Sequence, residues 1–171
     1  MSITSNIGAE DRCSGRLTHI SAGADGLVWG DPVEEKVLRG RGISEGAAEG
    51  RALVSRQPIS FYGGVNPSTG IVIEKNHELE GKCVKDKILV FPSGKGSTVG
   101  AYTIYQMRKK RTAPLAMINV ETEGIIAAGC ILAGIPLVDM LNGDPIEDIN
   151  DDDLVYVDGE KGTVIIKKKH D

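Results

Sequence analysis

The fold is decided by the stretch KILVFPSGKGSTVGAYTIYQMRKKR, residues 87–111. Its first part, KILVFP, is a short apolar run with the length of a buried strand. After the glycine-rich turn SGKGS, apolar residues recur at helical spacing, and the basic run RKKR suits a helix C-terminus. The apolar helix positions are Val99, Tyr102, Ile104, Tyr105 and Met107. The pattern predicts a strand-to-helix junction, with Ser97 and Thr98 at the junction itself.

Downstream, the alternation of strand and helix continues. The run LAMINV predicts a second buried strand, and EGIIAAGCILAG predicts a helix of small residues that can pack closely, with Thr122 as its N-cap. The run IPLVDM then predicts a third strand. Two alternating runs in DLVYVDGEKGTVII, separated by a glycine-rich turn, predict a β-hairpin near the C-terminus.

Upstream of residue 87, the sequence favours strands. In VLRGRGISEGAAEGRALVSRQPISF, residues 37–61, apolar runs flank glycines and short polar residues, which predicts antiparallel strands with bends. The following GGVNPSTGIVIE predicts a loop that returns into a strand. The fold class is therefore α/β, with a β-rich first half and a strand–helix–strand–helix–strand layer.

Length and composition limit the domain organisation. A chain of 171 residues forms one compact domain by default. Residues 1–37 are rich in Gly, Ser, Asp and Ala without a sustained hydrophobic period, which predicts a flexible extension ahead of a single domain over residues 38–171. The formal net charge is −4 and the basic residues are dispersed, so a nucleic-acid partner is not expected.

The cysteines are three in number and far apart, at Cys13, Cys83 and Cys130, with no Cys-x-x-Cys spacing. We therefore expect neither a disulfide framework nor a metal site within this chain, and we expect Cys130 to be a buried thiol. The sequence has neither a signal-peptide pattern nor an apolar run of about 18 residues, which predicts a cytoplasmic protein without a membrane span.

The turn FPSGKGSTVG, residues 91–100, carries the chemistry. Its glycines let backbone N–H groups face a ligand, and the helix that follows adds free N–H donors, so an anion is favoured there. The Walker A pattern G-x-x-x-x-G-K-[ST] fails at two positions, Leu89 and Gly96, which excludes nucleotide binding by that loop. A serine at such a junction either caps the helix or, with a cation and unpaired N–H groups nearby, loses its proton.

Three separated segments share a family resemblance, covering about residues 39–166: GRGISEGAAEGRALVSRQPISFYGGVNPSTG, FPSGKGSTVGAYTIYQMRK and INVETEGIIAAGCILAGIPLVD. Together they closely resemble the small subunit of the aconitase X family, whose members dehydrate hydroxy acids. The resemblance implies a swivelling β/β/α domain. It also implies that a [4Fe-4S] cluster and its cysteines belong to a large catalytic subunit, with no cofactor bound by this chain.

The resemblance assigns roles to particular residues. The serine of the GKGST motif, here Ser97, is implied to be the general base of the dehydration. Six further residues are implied to bind substrate: Lys95, Gly96 and Thr98 in the same motif, and Ser60, Gly63 and Gly64 in the motif ISFYGG. The ISFYGG segment fits a backbone-packing turn equally well. The three histidines, His19, His77 and His170, match no motif and are predicted to lie on the surface.

The resemblance also implies a reaction, in which a base removes a proton beside a carboxylate and a Lewis-acidic iron takes the departing hydroxyl. The chain most resembles the small subunits of the archaeal branch that converts (R)-5-phosphomevalonate to trans-anhydromevalonate 5-phosphate in isoprenoid biosynthesis. A related branch dehydrates cis-3-hydroxy-L-proline. A further alternative is a non-catalytic phosphate- or partner-binding swivelling domain, because the C-terminal hairpin resembles the mobile phosphohistidine domains.

Overall fold

The computed structural model describes residues 34–168 together with Cys13. The described part contains eight strands, two helices of ten residues and one short helix. The strands are β1 (Glu34–Arg39), β2 (Arg41–Ser44), β3 (Ala47–Val54), β4 (Ile88–Phe91), β5 (Ala116–Asn119), β6 (Leu137–Asp139), β7 (Leu154–Asp158) and β8 (Thr163–Lys168). The helices are α1 (Gly100–Lys109), α2 (Gly124–Ala133) and α3 (Pro145–Asp148). The strand–helix–strand–helix–strand layer predicted from the sequence is thus β4-α1-β5-α2-β6.

The strands form one continuous sheet in the order β1-β8-β7-β3-β4-β5-β6-β2. The pairs β3/β4, β4/β5 and β5/β6 are parallel, and all other neighbours are antiparallel. Strand β3 belongs to both halves, because residues 47–51 pair with β7 and residues 52–54 pair with β4. The predicted hairpin is β7 and β8, which pair in register from Leu154↔Lys167 to Asp158↔Thr163.

The first two strands join the two edges of this sheet. Strand β1 pairs with β8 at one edge, and β2 pairs with β6 at the other. Gly40 lies between them: its N–H donates to the Gly162 carbonyl at 2.8 Å, and a Cβ there would lie 2.3 Å from the Asp139 carbonyl oxygen. These strands are antiparallel to their neighbours, as predicted, but their partners are distant in sequence, and β1 and β2 themselves form the two edges of the sheet.

Two apolar cores explain the layers. Leu89 and Phe91 of β4 face a cluster that includes residues of α1 and α2, whereas Ile88 and Val90 face a second cluster built with β7 and β8. Parallel strands covered on both faces become continuous apolar runs, which is why KILVFP and LAMINV lack alternation. The layers are antiparallel strands, parallel strands and helices, so the predicted β/β/α architecture is confirmed.

Two local predictions are wrong. The N-cap of α2 is Glu123, not Thr122: its carboxylate accepts the Ile125 and Ile126 N–H groups at 3.0 and 2.9 Å. A carboxylate at this position satisfies the free amides and adds a favourable charge at the positive end of the helix. The run IVIE forms no strand; within the described residues, its region makes only the isolated bridges Val65↔Val72 and Ile71↔Cys83.

The cysteines also differ from expectation. Cys13 and Cys83 form a disulfide with their Cα atoms 5.4 Å apart, so the prediction that this chain would hold no disulfide is wrong. The two cysteines are 70 positions apart in the sequence, a separation that carries no spacing signal. Cys130 is buried in the helix-side core, as predicted.

The domain boundary can be placed against these elements. Strand β1 begins at Glu34, ahead of the boundary predicted at residue 38. In the described residues, no helix is long and apolar enough to cross a membrane.

Candidate active site

The loop over residues 92–99 connects the end of β4 to the start of α1. It therefore lies at the carboxyl edge of the parallel strands, where ligands bind in open α/β sheets. The loop carries four of the predicted site residues: Lys95, Gly96, Ser97 and Thr98. All four are exposed. The fold therefore places the predicted GKGST motif on an accessible edge.

Backbone bonds hold this loop against the segment that begins at Ile59. The Ile59 N–H donates to the Ser93 carbonyl at 3.2 Å, and the Lys95 N–H donates back to the Ile59 carbonyl at 3.1 Å. On its other side, the loop touches the start of α2, since a Cβ on Gly94 would lie 2.5 Å from the Glu123 carboxylate. The loop is thus fixed between two neighbouring segments.

These contacts bring both predicted motifs into one pocket of about 400 Å³. Its lining residues are Ser60, Tyr62, Gly63, Gly64, Glu74, Lys95 and Gly96. Five of the seven predicted site residues are among them. Ser97 and Thr98 follow directly on the same loop and are not among the residues that line the pocket. The structure brings the motifs together, while the roles of their residues stay predictions.

Two glycines allow the close approach of these motifs. Gly96 has a φ of +92°, and a Cβ there would lie 2.5 Å from the Ser60 hydroxyl oxygen. A Cβ on Gly64 would lie 1.9 Å from the Ser60 carbonyl oxygen. Gly64 thus lies too close to backbone for any side chain, and Gly96 combines a left-handed backbone with a close side-chain contact. These positions therefore require glycine for packing, whatever further role they have.

Glu74 also lines the pocket, and no sequence motif identifies it. Its Oε1 lies 2.5 Å from the Lys95 ammonium nitrogen. Its Oε2 is buried and has no hydrogen-bond partner among the described residues. The only signal in the sequence is the polar end of the run IVIE, which is too common a pattern to identify a site.

Ser97 is exposed, and its hydroxyl oxygen accepts the Val99 N–H at 3.2 Å. Its carbonyl accepts the Gly100 N–H at 2.9 Å. The N-cap residue of α1 is Val99, which makes no side-chain cap hydrogen bond, so neither Ser97 nor Thr98 occupies the cap position. The Ser97 hydroxyl supports the turn that starts the helix and remains open to a ligand.

Two apolar residues beside Ser97 differ from the predicted helix pattern. Val99 and Tyr102 are exposed, whereas Ile104 and Met107 are fully buried in the core. Tyr62 is exposed as well. A Cβ on Gly100 would lie 3.8 Å from the Tyr62 amide nitrogen, so Tyr62 adjoins the start of α1. An apolar surface therefore borders the loop.

His77 is buried, so its predicted surface position is wrong. Its Nδ1 accepts the Leu79 N–H at 3.0 Å, and its Nε2 lies 3.0 Å from the Pro58 carbonyl oxygen. Because Nδ1 is an acceptor, Nε2 carries the hydrogen and donates to that carbonyl. Both ring nitrogens are engaged, which argues against a phosphorylatable histidine here. The predictions for His19 and His170 lie outside the described residues.

A larger cavity of about 550 Å³ lies at the opposite edge, between the C-terminal ends of α1 and α2. It is lined in part by Arg108, Lys109 and Arg111, and none of the predicted site residues borders it. The predicted chemistry therefore belongs to the smaller pocket.

The part of the chain that matches known proteins is nearly the same as the part that the structure describes continuously. Residues 37–166 match the family described as the aconitase X swivel domain. The chain is similar to the phosphomevalonate dehydratase small subunit of Methanosarcina acetivorans, with 56% identity over 133 residues, 77% of this chain and 92% of the relative. The protein of the same name from Pyrococcus furiosus is 51% identical over 129 residues, 75% of this chain and 94% of the relative.

Among solved structures, the crystal structure of Thermococcus kodakaraensis aconitase X in its holo form is similar, with a TM-score of 0.74 and 45% identity. The match covers 78% of this chain and 99% of that one. A solution NMR structure of a UPF0107 protein gives a TM-score of 0.69 at 43% identity, over 80% of this chain and all of that one. The matched family region, residues 37–166, lies within the described range.

Proposed function

The chain belongs to the aconitase X swivel domain family, and we propose that it is the small subunit of a hydro-lyase that dehydrates (R)-5-phosphomevalonate to trans-anhydromevalonate 5-phosphate. The observation that carries the proposal is the identity of about half of all aligned residues with relatives named phosphomevalonate dehydratase small subunit. The name of these relatives indicates a larger partner subunit. The accessible GKGST loop beside a pocket supports a catalytic contribution from this chain.

Within the proposal, Ser97 is the general base that removes a proton beside the substrate carboxylate. Its exposed hydroxyl can meet a substrate held between two subunits. The Val99 N–H donates to the hydroxyl oxygen, which favours negative charge on that oxygen. Thr98 and the start of α1 add polar groups beside it, and the Lys95 ammonium is the nearest cation along the loop.

Lys95, Gly96, Ser60, Gly63 and Gly64 form the proposed binding surface for the anionic groups of the substrate. The ammonium supplies the positive charge, and the glycines leave the backbone uncovered. A pocket that binds anions needs a cation and accessible backbone. Residues from two distant segments of the chain meet both requirements here.

The part of the chain that the structure describes offers no ligand set for the iron–sulfur cluster implied by the family. Among residues 34–168 and Cys13, no three His, Cys, Asp or Glu side chains converge to hold a metal. Cys13 and Cys83 are bonded to each other, and Cys130 is buried. We therefore propose that the cluster and its ligands belong to the large subunit, whose chemistry is separate from the steps assigned to Ser97.

The large subunit is proposed to cover the loop and the apolar surface beside it. Tyr62, Val99 and Tyr102 are 44–59% exposed at the mouth of the site. Because each side chain is already about half buried, covering the exposed remainder would favour association by about 1 kcal/mol each. Closure over this surface would also exclude water from Ser97, which strengthens every electrostatic contact at the site.

The test is anaerobic co-purification with the large subunit, followed by dehydration assays on (R)-5-phosphomevalonate and cis-3-hydroxy-L-proline. We expect turnover of the phosphorylated substrate by the pair and none by the isolated chain. Ser97→Ala should lower turnover by about 10²–10⁴-fold without impairing assembly, because it removes a general base. Turnover of the proline derivative alone would refute the substrate assignment.

A matched control separates the base from a general effect of losing a serine. Ser68 is exposed, and its hydroxyl lies 3.1 Å from Lys110 Nζ, away from the pocket-lining residues. Ser68→Ala should leave turnover unchanged. If Ser97→Ala retained near-normal turnover, the assignment of the base would be wrong.

A further inference from the structure

The ion pair between Glu74 and Lys95 lies inside the candidate pocket, and both residues line it. They are the two charged residues among the pocket-lining residues. Glu74 lies in the long connection between β3 and β4, and Lys95 lies on the loop over residues 92–99, so only the tertiary fold brings them together.

The backbone anchors of the two residues lie at opposite ends of one segment, residues 59–64. Lys95 is held at Ile59, whose carbonyl accepts the Lys95 N–H at 3.1 Å. Glu74 is held at Gly64, whose carbonyl accepts the Glu74 N–H at 3.2 Å. The side-chain pair therefore connects the loop over residues 92–99 to the far end of the segment that forms the other side of the pocket.

Stability does not account for a glutamate at this position. Its Oε2 is buried without a hydrogen-bond partner in the described part of the chain, which destabilises the folded state. The pair itself is partly solvated, with side chains 46% and 26% exposed, and such pairs return little stability. Since the contact adds little stability, we attribute its role to the position that it gives the Lys95 ammonium.

We propose that Glu74 is a positioning residue of this site, which holds the Lys95 ammonium over the pocket so that the ammonium contacts an anionic group of the substrate. This inference rests on the proposed function. An ammonium has three N–H donors. The contact with Glu74 uses one of them and leaves two for substrate oxygens, while it restricts a side chain that would otherwise sample many rotamers.

Removal of the Glu74 carboxylate has two opposite effects on substrate affinity. The direction of the change in KM therefore distinguishes a positioning role from a simple effect of charge. Loss of a negative charge makes the pocket more positive, which by itself tightens the binding of an anion. Loss of the contact releases the ammonium into solvent, which weakens the binding. Positioning therefore predicts a higher KM, and a simple field effect predicts a lower one.

The experiment is a double-mutant cycle in the assembled pair with Glu74→Ala, Lys95→Ala and both changes together. We expect Glu74→Ala to raise KM for the phosphorylated substrate about tenfold with kcat within about twofold of wild type. Once Lys95 is alanine, the change at Glu74 should have no further effect on KM. Glu74→Gln, which keeps an acceptor oxygen for the ammonium, should restore part of the affinity.

The pair Lys36–Asp148 provides a matched control, because its side chains are 48% and 21% exposed and its contact distance is 2.7 Å. Asp148→Ala should leave KM unchanged. A KM that is unchanged or lower in Glu74→Ala, or effects of the two alanines that multiply, would overturn the inference. If Glu74→Ala failed to assemble, Glu74→Gln would test the inference instead. An unchanged KM in Glu74→Gln together with an unchanged KM in Lys95→Ala would contradict the positioning role.

The outcomes also separate this inference from the proposed function. An assembled wild-type pair without dehydratase activity would refute the function itself. An active wild-type pair whose KM does not depend on Glu74 would refute the positioning role alone.

Discussion

The substitution Asp139→Asn tests the buried ion pair that joins β2 to β6. Asp139 is fully buried at the end of β6, opposite Arg41 in the antiparallel register. Its Oδ1 accepts Arg41 Nε at 2.9 Å, and its Oδ2 accepts Arg41 Nη2 and the Thr122 N–H, each at 2.8 Å. The carboxylate thus connects an edge strand to the turn that precedes α2.

The magnitude follows from these three bonds. Hydrogen bonds to a charged group contribute about 1.5–3 kcal/mol each, and an asparagine retains one oxygen that can accept part of them. The Arg41 side chain is 57% exposed, so water can solvate its guanidinium after the change and no buried cation is left unpaired. We therefore expect a loss of about 2–3 kcal/mol, which lowers the melting temperature by roughly 5–10 °C.

The loss should depend on pH in a defined direction. Burial opposes ionisation of Asp139, but hydrogen bonds from Arg41 and the Thr122 amide outweigh it and hold the pKa of this carboxyl below its ordinary value. Because the folded pKa is the lower one, the stabilisation is fully present above about pH 4 and is lost as the pH falls towards the folded value. The difference between wild type and variant should shrink over that range.

Urea unfolding of the isolated chain, followed at several pH values, measures the difference directly. Glu147→Gln is the control, since it breaks the Arg56–Glu147 pair, whose side chains are both more than half exposed. Its midpoint should match wild type within error. The reasoning would be refuted if Asp139→Asn were as stable as wild type at neutral pH, or if its deficit persisted undiminished well below pH 4.

Two further changes test the loop and the cysteines. Gly96→Ala should lower turnover of the assembled pair at least tenfold, because φ is +92° and the new Cβ would lie 2.5 Å from the Ser60 hydroxyl. The control is Gly124→Ala, which should be tolerated because Gly124 has open space around it and no positive φ. Dehydration assays of both variants measure this difference. Alkylation and mass spectrometry of unreduced, denatured protein should modify Cys130 alone and, after reduction, all three cysteines. In the native protein Cys130 should react slowly, because burial raises the pKa of its thiol; two further thiols in the unreduced sample would contradict the Cys13–Cys83 bond.

The elements that the sequence predicted correctly are those with local signals. Strands β4, β5 and β6, helices α1 and α2 and the β7–β8 hairpin each follow from an apolar run or period and a nearby turn. The sheet that they form was not predictable in the same way. Strand β2 pairs with β6, some 95 residues further along the chain, and nothing within either run indicates that partner.

The residues of the candidate site likewise divide into those with a local sequence signal and those brought together only by the fold. Lys95, Gly96 and Ser97 belong to one glycine-rich turn, so a sequence motif identifies them together. Glu74 is 21 residues from Lys95 and pairs with it only through the fold. The surface position of His77 was predicted because this histidine matches no motif, but two backbone groups bind its ring nitrogens and make burial favourable.

The position of Ser97 sets how much of its reactivity this chain can provide alone. Full ionisation of a hydroxyl as weakly acidic as that of water is opposed at neutral pH by roughly 12 kcal/mol. The Val99 N–H offsets about 1.5–3 kcal/mol of this by its hydrogen bond to the oxygen. The charge of Lys95 is largely balanced by Glu74, and water reaches the exposed loop. Most of the remaining stabilisation must therefore come from a partner that excludes water and adds positive charge, which is why the isolated chain should have no activity.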